Sequence, residues 1–197
     1  GGSAIAGYTV TTSPGNHNCT TTGATSCPVT GLTNGTTYTV TVTATNMVGT
    51  SNASQTSAAV TPLTPPQPPT AVSATPGDGE AAVSWTTPSD TGGTPVASYT
   101  ATASPGGADC TTSATSCTIA SLNNGTSYRF TVTATNAVGT SPASSQSNAV
   151  TPQGPPDAPS SVRLKADGGI SFDVDANGSS ITGYTITYQS VDPSDGW

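Results

Sequence analysis

Two stretches of the chain alternate apolar and hydroxyl-bearing residues. One side of each stretch carries a tyrosine, further apolar residues and an alanine: Tyr38, Val40, Val42 and Ala44 in the first, and Tyr128, Phe130, Val132 and Ala134 in the second. The other side is threonine throughout, except for Arg129. A period of two with many β-branched residues is typical of a half-buried strand, whereas a helix needs apolar residues three and four apart. Each stretch is therefore predicted to be a strand with its apolar side facing a core.

Motifs with fixed offsets flank both strands. Leucine, glycine and tyrosine precede them at three-residue steps: Leu32, Gly35 and Tyr38, then Leu122, Gly125 and Tyr128. An A-x-N-x-x-G-x-S motif follows: Ala44, Asn46, Gly49 and Ser51, then Ala134, Asn136, Gly139 and Ser141. The first motif resembles the tyrosine corner of fibronectin type III domains, in which a phenol at the start of strand F hydrogen-bonds backbone slightly upstream. The second resembles the F–G turn of that family. The resemblance implies an all-β, immunoglobulin-like β-sandwich.

The same features return with a period of about 90 residues, the size of one small sandwich. Tyr8, Cys19, Cys27 and Tyr38 return as Tyr99, Cys110, Cys117 and Tyr128, and Tyr99 returns as Tyr184. Two proline-rich segments, TPLTPPQPP and TPQGPPDAP, separate the repeats and favour extended, semi-rigid linkers. We predict a partial unit at 1–62 with strands C to G, a complete unit at 63–152, and a partial unit at 153–197 with strands A to C.

The complete unit is predicted to hold seven short strands. They are A at 71–75, B at 81–86, C from Val96 to Ala101, C′ near Cys110, E at 117–120, F from Tyr128 and G at 145–150. In the third unit, strand A is predicted at 161–165, strand B carries Ile170 and Phe172, and strand C carries Ile181, Tyr184 and Ile186. The predicted core residues are Tyr38, Tyr128, Trp85, Phe172, Leu32 and Leu122.

Neither partial unit can close a sandwich by itself, since each would expose an apolar face and unpaired strand edges. Two explanations are open. The sequence is an excerpt of a longer tandem array, or a neighbouring subunit supplies the missing strands head to tail. The Gly-Gly start in place of Met indicates a processed product or an excerpt. Strand C is predicted in both partial units and would be supplied twice in an exchange, which favours the excerpt. The predicted partners are neighbouring repeats of the same or an identical chain.

Composition excludes several classes of protein. Only 7% of residues are charged, the net charge is −7 and there are three basic residues, which argues against nucleic-acid binding. No apolar run approaches the roughly 20 residues of a membrane span. Five asparagines lie in N-x-[ST] sequons and are either unmodified surface residues or glycosylation sites. They are Asn18, Asn34, Asn52, Asn124 and Asn177.

Each of the first two units contains two cysteines, eight and seven residues apart. Pairing within each unit, Cys19 with Cys27 and Cys110 with Cys117, is the economical interpretation, and it implies an oxidising, extracellular compartment. The alternative is a metal site built from Cys19, Cys27 and His17. The Cys-x7-Cys spacing is unusual for zinc, and the second unit has no histidine.

One calcium-like pattern is present, but no catalytic set. Residues 173–178 read D-x-D-x-N-G, the start of an EF-hand loop, yet the position that needs a bidentate glutamate is Tyr184. A polar turn after strand B is the simpler interpretation, with a weak calcium site as the alternative. The single histidine lies in a segment without acidic residues, so no nucleophilic triad is predicted. No enzymatic activity, catalytic residue, metal or cofactor is expected.

The chain resembles the fibronectin type III repeats of secreted bacterial proteins in its cysteine pairs, its threonine-rich strands and its few charged residues. The resemblance implies a structural role on a cell or particle surface, in which sandwiches joined by short linkers form a stalk or filament. Alternatives are an adhesive or carbohydrate-binding module, a spacer in a secreted polysaccharide-degrading enzyme, and decoration of a phage virion. The sequence names no ligand.

Overall fold

The structure is a computed structural model and describes residues 2–187. Its strands are β1 (Ile5–Ser13), β2 (Asn18–Thr21), β3 (Thr39–Asn46), β4 (Thr70–Pro76), β5 (Ala81–Thr86), β6 (Ser98–Ser104), β7 (Asp109–Thr112), β8 (Ser116–Ile119), β9 (Arg129–Thr135), β10 (Ser160–Leu164) and β11 (Ile170–Asp173). The described residues form no helix, and therefore none that could cross a membrane. The predicted all-β fold class is confirmed.

The middle unit is a sandwich of two antiparallel sheets, ordered β4-β5-β8 and β7-β6-β9. Burial alternates strictly along β5, where Ala81, Val83 and Trp85 point inward, as the period of two requires. The facing sheet contributes Phe130 and Val132 from β9, both without exposed surface. Further members of the core are Ala74, Tyr99, Ala101, Ala103, Ile119, Leu122, Tyr128, Ala134 and Val150. The core is therefore the space between the β4–β5 hairpin and the β6–β9 pair.

The segment predicted as strand G is not a strand. Every third residue of this segment is a serine: Ser141, Ser144 and Ser147. These serines hydrogen-bond every second residue of β9, namely Ala134, Val132 and Phe130. Each serine N–H donates to a β9 carbonyl, and each Oγ accepts from a β9 N–H at 2.9–3.1 Å. Three residues of the segment cover the same length as two residues of β9, so the segment is compressed relative to a strand, like a series of bulges. We call residues 141–147, and the equivalent 51–57 with Ser51, Ser54 and Ser57, the serine segments.

The first unit has the same front sheet, ordered β2-β1-β3, without a back sheet. Its inner apolar face, including Tyr8, Val10 and Val42, is half-buried. Leu32 is also only half-buried, unlike Leu122 in the middle unit, because no A–B hairpin covers it. The predicted strand E does not form here. In the middle unit strand E, which is β8, pairs with strand B alone, and the first unit has no strand B.

The third unit is a hairpin of β10 and β11. Its apolar side chains are exposed or half-buried, because no front sheet covers them: Val162, Leu164, Ile170 and Val174 are exposed. Phe172, a predicted core residue, is half-buried and packs edge-on against Tyr184, with 5.0 Å between the ring centroids. Residues 181–187, predicted as strand C, form no strand, since they lack a strand F to pair with. The rest of the predicted third unit, 188–197, lies outside the described residues.

Candidate functional site: two equivalent joints

The turns that precede β3 and β9 are fixed by tyrosine corners. The Tyr38 hydroxyl accepts a hydrogen bond from the Thr33 N–H, and the Tyr128 hydroxyl accepts one from the Asn123 N–H, both at 3.0 Å. Both phenol rings are buried, as a tyrosine corner requires. The turns themselves, 33–36 and 123–126, carry an Asn-Gly pair whose glycine has φ 78°, as in a type II turn. These E–F turns project from the unit towards the next one.

The first linker is hydrogen-bonded to both units that it connects. The Gly35 N–H of the E–F turn donates to the Pro62 carbonyl at 2.9 Å. Further along, the Thr64 N–H donates to Gly92 O at 3.0 Å and the Gln67 N–H donates to Asp90 O at 2.9 Å. Gly92 and Asp90 belong to the B–C loop of the middle unit, residues 87–97. The proline-rich linker is thus held at its start by one unit and along its length by the next.

The second linker repeats this arrangement bond for bond. Gly125 N–H donates to Pro152 O at 2.9 Å, as Gly35 does to Pro62. Gly154 N–H donates to Asn177 O at 3.0 Å, and Asp157 N–H donates to Asp175 O at 3.1 Å. Asn177 and Asp175 lie in the B–C loop of the third unit, residues 174–180. We call the two sets of contacts, each made of an E–F turn, a linker and a B–C loop, the first and second joints.

Glycines allow the backbones to approach closely at both joints. A Cβ on Gly35 would lie 2.9 Å from the Gly93 Cα, and a Cβ on Gly93 would overlap the Gly35 backbone. At the second joint a Cβ on Gly178 would lie 2.5 Å from the Gly125 nitrogen. Real Cβ atoms do not sit so close to backbone, so only glycine permits this packing.

Asparagine side chains add contacts across both joints. At the first joint the Asn34 Nδ2 donates to the Thr64 Oγ1 at 2.9 Å. At the second joint the Asn124 Nδ2 donates to Asp78 Oδ1 at 2.8 Å and to Asn177 Oδ1 at 2.7 Å. The Asn124 Oδ1 accepts from the Gly79 N–H at 2.8 Å. Asp78 and Gly79 lie in the A–B turn of the middle unit itself, so only the bond to Asn177 crosses the second joint. Asn124 is therefore more fully hydrogen-bonded than Asn34, because its own unit has an A–B turn.

The F–G turn of the middle unit also binds the incoming linker. Asn136 is buried, and its Oδ1 accepts from the N–H groups of Val138 and Gly139, which closes the turn. Its Nδ2 donates to the carbonyls of Thr64 and Thr91, both at 2.9 Å. The asparagine that marks the F–G turn in the sequence is thus also an anchor for the first joint.

The structure places the calcium-like sequence at the second joint. Asp173 ends β11, and Asp175 Oδ1 accepts from the Asn177 N–H at 2.8 Å, which forms a polar turn. Among residues 2–187 there is no group of three His, Cys, Asp or Glu side chains that could hold a metal ion. Sequence reasoning missed the joint role of this turn. The signal was its alignment with the TGG sequence of the preceding B–C loop, at the same place in the repeat.

The cysteines are paired within each unit, Cys19 with Cys27 and Cys110 with Cys117. Cys110 lies on β7 and Cys117 on β8, which belong to opposite sheets, so this disulfide links the two sheets of the sandwich. The His17 ring packs edge-on against Tyr38, with centroids 6.1 Å apart.

The sequons fall into two groups. Asn18 and Asn52 are exposed. Asn34, Asn124 and Asn177 are half-buried and use their side-chain amide nitrogens in hydrogen bonds at the joints.

The fold and the joints together define a tandem array of immunoglobulin-like β-sandwich units. The model of the fibronectin type III domain matches residues 1–60 and 64–150, and the chain belongs to this family. Domains of this family are generally non-catalytic structural or adhesion-type modules. Comparison with the curated proteins finds no match.

Solved structures similar to this chain come from multidomain proteins. A crystal structure of titin domains is 22% identical with a TM-score of 0.47, covering 73% of this chain and 54% of that one. The FN1–FN3 domains of chicken CNTN1 are 24% identical with a TM-score of 0.40, covering 74% of this chain and 55% of that one. The titin kinase with its flanking domains is 26% identical with a TM-score of 0.41, covering 45% and 17%. The chain thus spans at most about half the length of these structures.

Proposed function

We propose that the chain is a non-enzymatic extracellular structural module whose tandem sandwiches form a stalk or filament on a cell or particle surface. One observation carries this proposal. The first and second joints share three linker hydrogen bonds at equivalent positions, although they connect different pairs of units. A contact that is repeated in this way gives each successive unit the same placement relative to the one before it.

The linkers support a stiff array. Proline fixes φ and limits the conformations that a linker can adopt even when it is free. Here the non-proline residues at the key positions, Thr64, Gln67, Gly154 and Asp157, use their N–H groups on the next unit. Bending a joint would break several of these bonds together, each contributing about 0.5–1.5 kcal/mol.

A mechanical and not a chemical role fits the use of polar side chains at the joints. Asparagine side chains hold the units in place at the joints: Asn34 bonds the Thr64 hydroxyl, Asn124 bonds Asn177, and Asn136 and Asn177 bond backbone carbonyls. The extracellular location is supported by the two disulfides, since such bonds persist in oxidising compartments.

We propose that the partners of the open faces are neighbouring repeats of the same or an identical chain. The middle unit shows what such a repeat supplies. Its A–B hairpin buries Val83 and Trp85 against Tyr99, Phe130 and neighbouring residues. The first unit presents the equivalent front sheet, and the third presents the equivalent hairpin.

Small-angle X-ray scattering of the monodisperse chain tests the proposed stiffness. We expect the profile to fit a single conformation with both joints closed. The double variant Gly93→Ala/Gly178→Ala places a Cβ into both joints, and we expect it to require an ensemble of bent forms.

The matched control is Gly106→Ala/Gly168→Ala. Gly106 and Gly168 have similar positive φ values, 93° and 83°, but no neighbouring atoms within 4 Å of the added Cβ. Scattering from the unsubstituted chain that already requires a broad ensemble would refute the proposed function.

A further inference from the structure

All three Asn-Gly dipeptides of the chain lie at the joints, at residues 34–35, 124–125 and 177–178. Asn-Gly is the dipeptide in which asparagine deamidates most readily. The backbone nitrogen of the following residue attacks the side-chain carbonyl carbon, and glycine has no side chain to obstruct it. Ammonia leaves as a cyclic succinimide forms, and water then opens the ring to aspartate or isoaspartate. No other reactant is required.

In the closed joints, the backbone nitrogen that would attack is engaged in a hydrogen bond, which slows this reaction. The Gly35 N–H donates to Pro62 O and the Gly125 N–H donates to Pro152 O, both at 2.9 Å. The attacking nitrogen must lose its proton, so each of these bonds must first break. Both acceptors belong to the linkers, two residues after the bridges of Val60 to Tyr38 and of Val150 to Tyr128. Each bond therefore exists only while the start of the linker lies beside its own E–F turn.

In the middle unit the A–B turn, residues 77–80, also holds the group that would be attacked. The Asn124 Oδ1 accepts from the Gly79 N–H, and its Nδ2 donates to Asp78 and Asn177. Asn34 has only the bond from its Nδ2 to the Thr64 Oγ1. The two asparagines have the same following residues, Gly and Thr. Their difference in restraint therefore comes from the A–B turn with Asp78 and Gly79, which the first unit lacks, and from the contact with Asn177 across the second joint.

We propose that Asn34 and Asn124 are deamidation sites controlled by the joints, protected when the joints are closed and exposed when they open. This inference rests on the proposed function of the joints as fixed couplings. Isoaspartate adds a methylene group to the backbone of a turn that has no spare space beside Gly93 or Gly178. Formation of isoaspartate therefore prevents a joint from closing again.

The product also introduces a charge. At position 124 a carboxylate replaces the amide that donates to Asp78 and Asn177, so two acidic groups would meet with no donor between them. At position 34 a carboxylate faces the Thr64 hydroxyl, which can donate to it. We therefore expect Asn124→Asp to open the second joint, and Asn34→Asp to leave the first joint closed in scattering experiments.

The test measures deamidation at each Asn-Gly by peptide mapping with mass spectrometry, while the full chain is kept near neutral pH at physiological temperature. The same chain unfolded in urea gives the unprotected rates. Because reaction through an open state scales with its population, we expect Asn124 to react at least about tenfold more slowly than in urea. The deamidation rate of Asn34 should lie between the rate of Asn124 in the folded chain and the rate of Asn34 in urea.

Glycine variants identify the joint as the cause. We expect Gly178→Ala to accelerate deamidation of Asn124 and not of Asn34, and Gly93→Ala to accelerate deamidation of Asn34 and not of Asn124. Gly168→Ala, which has the same backbone strain away from the joint, should change neither rate.

Two outcomes separate the inference from the function on which it rests. If scattering shows closed joints while both asparagines react as fast as in urea, the inference fails and the proposed function stands. If scattering shows open joints in the unsubstituted chain, the proposed function fails and the inference fails with it. Unchanged Asn124 deamidation in Gly178→Ala would also overturn the inference.

Discussion

The first and middle units share a front sheet but differ in what covers it. β1, β2 and β3 pair in nearly the same register as β6, β7 and β9, and both units have a serine segment and a tyrosine corner. In the middle unit Val132 has no exposed surface, whereas the equivalent Val42 is half-buried. The difference shows that local pattern determines the strands and turns, while burial depends on the A–B hairpin.

Truncation of a core side chain is expected to give the largest difference in stability loss between the two units. We expect Phe130→Ala to destabilise the middle unit by about 3–5 kcal/mol, because it leaves a cavity in a closed core. The equivalent Val40→Ala should cost about 1 kcal/mol or less, since Val40 is only half-buried. Urea unfolding followed by Trp85 fluorescence in a Trp197→Phe background measures the first, and far-UV circular dichroism measures both. Equal losses would mean that the first unit has a closed core.

The second-largest difference between the two units is expected when their disulfides are removed. Replacing Cys110 and Cys117 by serine removes a link between two sheets, and we expect a loss of about 2–3 kcal/mol in the middle unit. Cys27 is not on a strand, so replacing Cys19 and Cys27 should cost less. The midpoints of thermal unfolding of the two double variants provide the comparison, and a larger loss in the first unit would contradict it.

The serine segments give a smaller and more specific contrast. In Ser144→Ala the buried Val132 N–H loses its side-chain acceptor, with an expected cost of about 1–2 kcal/mol. In Ser54→Ala the Val42 N–H loses the same bond, but Ser54 is exposed, so water can replace the hydroxyl and a few tenths of a kcal/mol are expected. Hydrogen exchange at Val132 and Val42 reports each loss directly. Similar exchange changes at both sites would show that water does not compensate in the first unit.

The smallest effect concerns pH. Burial raises the pKa of the Tyr99 phenol above its usual value of 10.0. Its contribution to stability is therefore fully present below pH 10 and is lost as the pH rises through the higher folded value. We expect the free energy of unfolding of the middle unit to fall more steeply above pH 10 than in Tyr99→Phe. Parallel profiles for the two proteins would remove this interpretation.

Much of the front sheet could be predicted from the sequence, because alternation reports which face of a strand is buried. Strand B was predicted with its observed bounds, Ala81–Thr86, and the family is shown by the comparison. The serine segments were not predicted, since a period of three that matches a neighbour's period of two is invisible to a search for alternation. The end strands failed for a different reason. A strand needs a partner, and the predicted strand E of the first unit and residues 181–187 have none in the described structure.

The joints were beyond sequence reasoning for a physical reason. An Asn-Gly pair predicts a turn through the φ that glycine permits, but not the backbone that the turn will meet. The match between Gly35 and Gly93, or between Gly125 and Gly178, depends on where the linker places the next unit. In the structure, asparagine and glycine recur at the same position of each repeat because these residues form the contacts of the joints.

The serine segments have a consequence for how such chains avoid sticking to one another. A regular edge strand offers N–H and C=O groups at a spacing that any other strand can match, which is a route to aggregation. A segment that advances three residues for its neighbour's two presents those groups out of step with an incoming strand. In a protein with so few charged side chains to repel its copies, that irregular outer margin is a safeguard against uncontrolled sheet growth.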